Sequence, residues 1–265
     1  MAKLRVDVYL VEKNMVDSRS LAQRIVMAGE VIVNGEKISK PSQMIDENAS
    51  VEIVSGPKFV SRGGEKLEAG LIGFGICDLV GKICVDVGSS TGGFTDCLLQ
   101  YGAEKVYAID VGFGILHWKL RNNPKVVVME RTNARNVSSF PELIDLVRID
   151  ASFISLKVLL PNIINWLYEN SKIIMLIKPQ FEAGRKDAAK GAGVIRDINI
   201  HRRILQETLE FAVEKGLFIE GLILSPLKGP KGNIEFLAYL SNSNHNDGEI
   251  FQILDMIGSI LGEVD

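Results

Sequence analysis

Apolar and polar positions alternate along the chain in blocks that predict strand, turn and helix in turn. The clearest block runs from Ile83 to Gly93, Ile-Cys-Val-Asp-Val-Gly-Ser-Ser-Thr-Gly-Gly. Its β-branched run predicts a strand ending at Val87, and its glycines predict a turn. Phe94, Leu98 and Leu99 then recur at helical spacing. Further strands are expected at Val106–Asp110, Val126–Glu130, Ile144–Ile149, Lys172–Lys178, Phe218–Leu224 and Ile234–Leu240. Between them, helical stripes run through Leu156 to Leu167 and Ile204 to Val213, and another through Ile250 to Leu261. Such alternation implies a mostly parallel sheet with helices on both faces, a Rossmann-like α/β fold.

Residues 1–57 carry a different pattern. Leu4, Val8, Leu10 and Val11 predict a short helix. Asp17 or Ser18 can cap a second through Leu21, Ala22, Ile25 and Val26 to Gly29. Val31-Ile-Val-Asn-Gly35 reads as a strand entering an Asn-Gly turn, and Val51–Val54 as a closing strand. This predicts a small α+β module at 1–57, a linker at 58–62 and the large α/β domain at 63–265.

Composition narrows the class. The 265 residues are 46% hydrophobic, enough for one medium domain and a small one. The net charge of −3 gives no global attraction to nucleic acid, so any RNA binding must come from local patches. Residues 1–57 hold seven basic and eight acidic residues, so only a one-sided arrangement could bind RNA there. Residues 178–203 hold seven cations against three acids, the most basic stretch. Three cysteines, without metal-ligand spacing and without an apolar leader in the first seven residues, fit a reducing cytoplasm. No apolar run is long enough to span a bilayer.

The turn at Gly88 reads G-S-S-T-G-G, not the dinucleotide pattern G-x-G-x-x-G. Asp86 just before it would repel a diphosphate but suits a cationic ligand. S-adenosylmethionine (SAM) is such a ligand; a turn without any ligand is the alternative. The candidate cofactor residues are Asp86, Gly88, Ser89, Ser90, Thr91, Gly92 and Gly93. Asp110 follows Gly88 by 22 positions and is suited to ribose hydroxyls. Glu130 and Asn133 follow the third strand and could line the adenine end. Lys178 ends an apolar strand, where a lysine is costly unless paired or used.

The segment Ser18 to Ile38 resembles the small RNA-binding domain first seen in a small-subunit ribosomal protein and found again in pseudouridine synthases and tyrosyl-tRNA synthetases. Six further stretches, in order, are Val60-Ser-Arg-Gly-Gly-Glu-Lys66, Asp86-Val-Gly-Ser-Ser-Thr-Gly-Gly-Phe-Thr95, Glu130-Arg-Thr-Asn-Ala-Arg135, Asp150-Ala-Ser-Phe-Ile-Ser-Leu156, Lys178-Pro-Gln-Phe-Glu182 and Lys228-Gly-Pro-Lys-Gly-Asn-Ile-Glu235. Together they resemble the TlyA family of bacterial rRNA 2′-O-methyltransferases, related to FtsJ-type enzymes and also called haemolysins. The resemblance runs nearly end to end and implies a seven-stranded SAM-methyltransferase sheet with a final hairpin.

It also implies a catalytic tetrad of Lys66, Asp150, Lys178 and Glu235, with no metal. A lysine serves as a base only where burial or a second cation favours its neutral form. Lys178 is expected at the ribose 2′-OH, as base or as the group orienting its lone pair. Lys66 would favour neutral Lys178 or meet the target phosphate; Asp150 and Glu235 would hold the lysines and the hydroxyl. Arg148-Ile149-Asp150 departs from the family, whose strand end is more apolar. The resemblance further implies rRNA in the small or large subunit, or both, as partner, with cytidine as target and no obligate protein partner. Arg5, Arg19, Lys40, Arg62, Arg131, Arg135 and Arg185 match its basic positions and are expected at phosphates. A membrane-active cytolysin and an RNA-binding assembly factor with a vestigial site are the competing readings.

Overall fold

A computed structural model describes residues 3–54, 57–184, 187, 191–229, 231–242 and 249–263. The chain divides into two units, Met1–Lys58 and Phe59–Asp265.

The first unit begins with β1 (Lys3–Arg5), which leads into α1 (Val6–Glu12) and α2 (Arg19–Met27). Ser18 caps α2 by accepting from the Leu21 N–H. Then come β2 (Val31–Val33), β3 (Glu36–Ile38), β4 (Met44–Asp46) and β5 (Val51–Ile53). β2 lies between β3 and β5, antiparallel to both. Asn34 and Gly35 join β2 to β3 with positive φ at both positions, the turn that matches strand twist. β1 and β4 form a separate antiparallel pair. Neither was expected: Leu4 reads with Val8, Leu10 and Val11 as one helical stripe, which hides β1 and with it the partner of β4. Val6, Leu10, Ala22, Val26, Val31 and Ile45 close this unit's own core.

The second unit opens sooner than expected. Phe59 is only 2% exposed and packs with Leu67, Leu71 and Phe94. The Val60 N–H donates to Asp96 Oδ2 at 2.9 Å. Residues 59–62 therefore belong to the second unit and not to a linker; Gly56 lies outside the described residues.

Its helices and strands follow in order: α3 (Gly63–Gly73), β6 (Ile83–Val87), α4 (Gly93–Gln100), β7 (Lys105–Ile109), α5 (Trp118–Arg121) and β8 (Val126–Met129). Next are β9 (Ile144–Ile149), α6 (Leu156–Ile163), β10 (Leu167–Ile177) and α7 (Pro179–Glu182). The unit ends with α8 (Ile198–Glu214), β11 (Phe218–Leu224), β12 (Phe236–Ser241) and α9 (Glu249–Leu261). The sheet order is β11-β12-β10-β9-β6-β7-β8. β8, β7, β6, β9 and β10 run parallel, and β12 is antiparallel to both β10 and β11. This is the expected α/β architecture with its final hairpin.

Two boundaries differ from the apolar pattern. Leu167 opens β10 instead of closing α6, because a 3-10 turn at Ile164–Trp166 ends the helix. The β9–β10 register then shifts between Leu167 and Lys172. β12 begins at Phe236, which leaves Glu235 just ahead of the strand. Apolar side chains fill both faces. Leu156, Leu160, Ile204, Leu209 and Ile257 cover one, and Leu67, Leu71, Phe94 and Leu98 the other. Among the described residues no helix is long and apolar enough to cross a membrane.

Candidate active site

The strands β6, β7, β9 and β10 all end at the same edge of the sheet, and the candidate residues gather there. At such an edge the side chains after each strand face one crevice. A cavity of about 350 Å³ opens beside the β6 turn. Gly88, Ser90, Asp110, Val111, Thr132 and Asn133 line one part of it. Asp150, Ser152, Phe153 and Leu159 line another.

Gly88 has φ +79°, and a Cβ there would stand 2.4 Å from the Asp150 carbonyl oxygen. Only glycine permits this turn and this approach. The Gly88 and Ser89 N–H groups both donate to the Ile109 carbonyl, which fixes the turn against β7. Asp110 accepts from the Ser90 N–H at 2.8 Å and from the Gly112 N–H at 2.7 Å. One carboxylate at the cavity wall thus organises two loops.

Several expected cofactor residues do not face this cavity. Asp86 is fully buried; Arg148 Nη1 donates to its Oδ1 at 2.6 Å and Thr95 Oγ1 to its Oδ2 at 2.6 Å. The reason is register: Asp86 on β6 lies directly beside Arg148 on β9. Burial pushes the Asp86 carboxyl above its ordinary value, against the attraction of Arg148 and the Thr95 hydroxyl. Gly92, with φ +95°, packs against Leu116 and Leu120, and Gly93 packs against Ser61; a Cβ on either would clash. Ser89 is 5% exposed, and the Thr91 carbonyl accepts from the His117 N–H. Glu130 turns to Arg121 and to the backbone N–H groups of Gly114 and Leu116. The Gly114 bond, with Arg121 behind it, holds the Glu130 carboxyl down to about 2. These six residues shape and brace the site, and the cavity wall is Gly88, Ser90, Asp110, Asn133 and their neighbours.

The four tetrad residues come from four places in the chain. Lys178 follows β10 and starts α7; Asp150 follows β9; Glu235 precedes β12; Lys66 sits in the first turn of α3. Lys66 Nζ donates to Glu235 Oε2 at 2.5 Å. Lys178 pairs with Asp150 Oδ1 and donates to Ser152 Oγ at 3.0 Å. Glu235 is 1% and Lys178 8% exposed. Burial would raise the Asp150 carboxyl, but the charges of Arg148 and Lys178, and more weakly Lys66, hold it below its ordinary value. The arrangement is two ion pairs joined electrostatically, with Asp150 at the cavity wall. It can hold a lysine beside a small ligand, and that lysine can take up a proton only after its ammonium has first given one up.

Three features were not foreseen from residue types. Ser152 fixes Lys178. Arg148 bridges two carboxylates. Phe153 has φ +65°, is 91% exposed, and lies 5.0 Å from the Phe181 ring, centroid to centroid. A bulky residue in the left-handed region is strained backbone, here at the cavity wall.

The expected RNA-binding cations divide between the units. In the first unit, Arg5 Nε and Nη2 each donate to Asp7 at 2.9 Å, and Arg19 Nε donates at 3.1 Å. Lys40 is exposed there. In the second, Arg62 and Arg135 are exposed, and the Arg131 guanidinium lies 4.0 Å from the Phe113 ring centroid. Arg185 lies outside the described residues.

Comparison with known proteins places both units in known families. The FtsJ-like methyltransferase model matches residues 59–242, and the S4 domain model matches residues 4–51. Hemolysin A of Brachyspira hyodysenteriae is 44% identical over 89% of this chain and 99% of its own length. A 16S/23S rRNA (cytidine-2′-O)-methyltransferase, TlyA of Mycobacterium tuberculosis, is 41% identical over 90% of each chain. A solved structure from Streptococcus thermophilus, provisionally designated a hemolysin, superposes with a TM-score of 0.73. It is 40% identical and covers 99% of this chain and 97% of that one. With an S4 domain ahead of an FtsJ-like methyltransferase domain, the chain belongs to the TlyA/hemolysin A family.

Proposed function

We propose that the protein is a SAM-dependent 2′-O-methyltransferase that acts on a cytidine ribose of ribosomal RNA. The observation that carries the reading is the pairing of Lys178 with Asp150 at the wall of a cavity fit for a cationic nucleoside. Among the described residues, that wall holds two carboxylates, Asp110 and Asp150, and no lysine or arginine. A diphosphate would be repelled there; a sulfonium and an ammonium would be stabilised. The volume of about 350 Å³ is at the small end of the range for such ligands. Asp110 would hold the ribose, Ser90 and Gly88 the polar end, and Thr132 and Asn133 the adenine edge. SAM supplies an electrophilic methyl group carried on a cationic sulfur.

The protein's own residues supply alignment and a place for the proton. Lys178, once its ammonium has lost a proton to solvent, would accept the proton of the 2′-OH at Nζ as the O–CH₃ bond forms and the methyl leaves the sulfur. Asp150 and Ser152 aim that amine and take up its charge once it is protonated. The Lys66–Glu235 pair presents a second cation to the target phosphate or hydroxyl. Proton transfer of this kind contributes ~10²- to 10⁴-fold, and alignment the remainder. The exposed face of Phe153 offers a stacking surface for a base swung out of its helix. The S4 domain would supply the phosphate contacts that set register, through Lys40 and the Asp7-anchored arginines. An rRNA substrate implies action in the cytoplasm.

Lys178→Ala tests the reading. With tritiated SAM and unmethylated ribosomal subunits, methyl transfer should fall by at least ~10²-fold while SAM still binds. Transfer at the normal rate would show that Lys178 has no part in the chemistry.

A further inference from the structure

Arg148 departs from the apolar strand end that the motif leads one to expect, and it is 2% exposed. A buried guanidinium is costly unless its donors are used. Here the two Nη groups are directed at two different places, while Nε is buried without a hydrogen-bond partner. Nη1 donates to Asp86 Oδ1 at 2.6 Å and to the Val87 carbonyl at 3.1 Å, at the base of the Gly88 turn. Nη2 donates to Asp150 Oδ2 at 3.1 Å. The guanidinium carbon lies 3.1 Å from the Phe94 ring centroid. A purely structural ion pair with Asp86 would need only one arm of the fork. The second arm reaches the acid whose other oxygen carries Lys178.

We propose that Arg148 is a positioning residue: it locks Asp150 to the cofactor turn and weakens the hold of that carboxylate on the Lys178 proton. The inference rests on Lys178 acting as the base. A lone carboxylate beside an ammonium stabilises the charged lysine and opposes its use as a base. A second cation on the same carboxylate offsets part of that attraction. With Arg148 in place, each Asp150 oxygen serves one cation. Among the described residues, the other charged groups on the elements beside Lys178 are Lys66 and Glu235, paired with each other, and Glu182 on α7. The Glu182 carboxylate is occupied by the Ser155 hydroxyl and the Leu156 N–H. Around Arg148 stand Asp86, Asp150 and the Cys97 thiol of α4. None of these replaces Arg148 as a cation on Asp150 Oδ2.

The test is the pH dependence of single-turnover methyl transfer, with tritiated SAM and unmethylated ribosomal subunits. In Arg148→Gln the acidic limb should move up by about one pH unit, making the enzyme about tenfold slower below it. The rate should largely recover at high pH, and SAM affinity should change less than the rate. Arg148→Lys should return the limb toward its original position but stay slower throughout, because a point charge lacks the fork. Should Arg148→Gln fail to fold, Asp86→Asn/Arg148→Gln removes both buried charges together and is expected to show the same shift. A limb that superposes on the wild type overturns the proposal. So does a rate lowered by one factor at every pH, which a merely structural role would give. A wild-type profile with no acidic limb would instead overturn the base role of Lys178, and the inference with it.

Discussion

A single backbone angle separates stability from activity at Phe153. The left-handed region costs a residue with a Cβ about 1–2 kcal/mol, and Phe153 sits there at φ +65°. Its side chain is 91% exposed, so its burial returns little of that cost. Phe153→Gly should therefore raise thermal stability slightly, by up to about 1 kcal/mol, because glycine adopts this φ freely. The same change removes the proposed stacking face. Base stacking on an aromatic ring contributes about 1–3 kcal/mol, so kcat/KM should fall about tenfold or more. A melting curve and a methyl-transfer assay on one preparation check both signs; lower stability with full activity would remove Phe153 from the substrate site. Residue type alone conveys none of this, since phenylalanine in a sequence does not announce its φ. Asp86 shows the same gap. Its place before the glycine turn suggested a ligand contact, yet what it meets is decided by Arg148, 62 residues later and adjacent only through strand register.

At the scale of elements, Asp7 in the first turn of α1 organises the face that α1 and α2 share. Its buried carboxylate accepts from Arg5, Arg19 and Gln23. The Arg5 bond chiefly, with Gln23 and Arg19 behind it and against the effect of burial, holds the Asp7 carboxyl far below its ordinary value. A depressed folded-state value means that the stabilisation is fully present above the unfolded value, about 3.9, and is lost as pH falls below it. Asp7→Asn should cost about 1–3 kcal/mol at pH 7 by breaking a buried network. Its deficit should shrink between about pH 4 and pH 2, where the wild type loses the same interaction. Urea midpoints followed at the Tyr9 ring, at both ends of that range, check the sign. Strands and helices of this length were legible from apolar spacing, because β6, β7, β9 and β11 each run five residues or more. β1 and β4 were not, being held by pairing across the chain and not marked by a local pattern. The Lys66–Glu235 pair spans 169 positions and was reachable only through the ordered motifs of a family. No local period connects α3 to the start of β12.

For the whole molecule, each unit closes its own core, the first on Val6, Leu10, Val26 and Val31, the second on the faces of its sheet. With a core in each unit, the labour of RNA docking and methyl transfer can be divided between them. A chain of residues 59–265 should bind SAM as the intact protein does, because Gly88, Asp110, Asn133 and Asp150 all lie within it. It should also methylate a short unstructured RNA at the intact protein's rate but lose turnover on ribosomal subunits, if the S4 domain sets register there as proposed. Phosphate contacts release counterions, so the intact protein's affinity for subunits should fall with rising salt and the short chain's should fall less steeply. Within the intact protein, Lys40→Ala should lower that salt slope by roughly one if Lys40 meets a phosphate. It should leave SAM binding alone, since Lys40 is exposed on the other unit. Filter binding across a salt series, beside calorimetry with SAM, separates the two effects. Equal salt slopes for the intact and short chains would mean that Arg62, Arg131 and Arg135 of the second unit carry the docking instead.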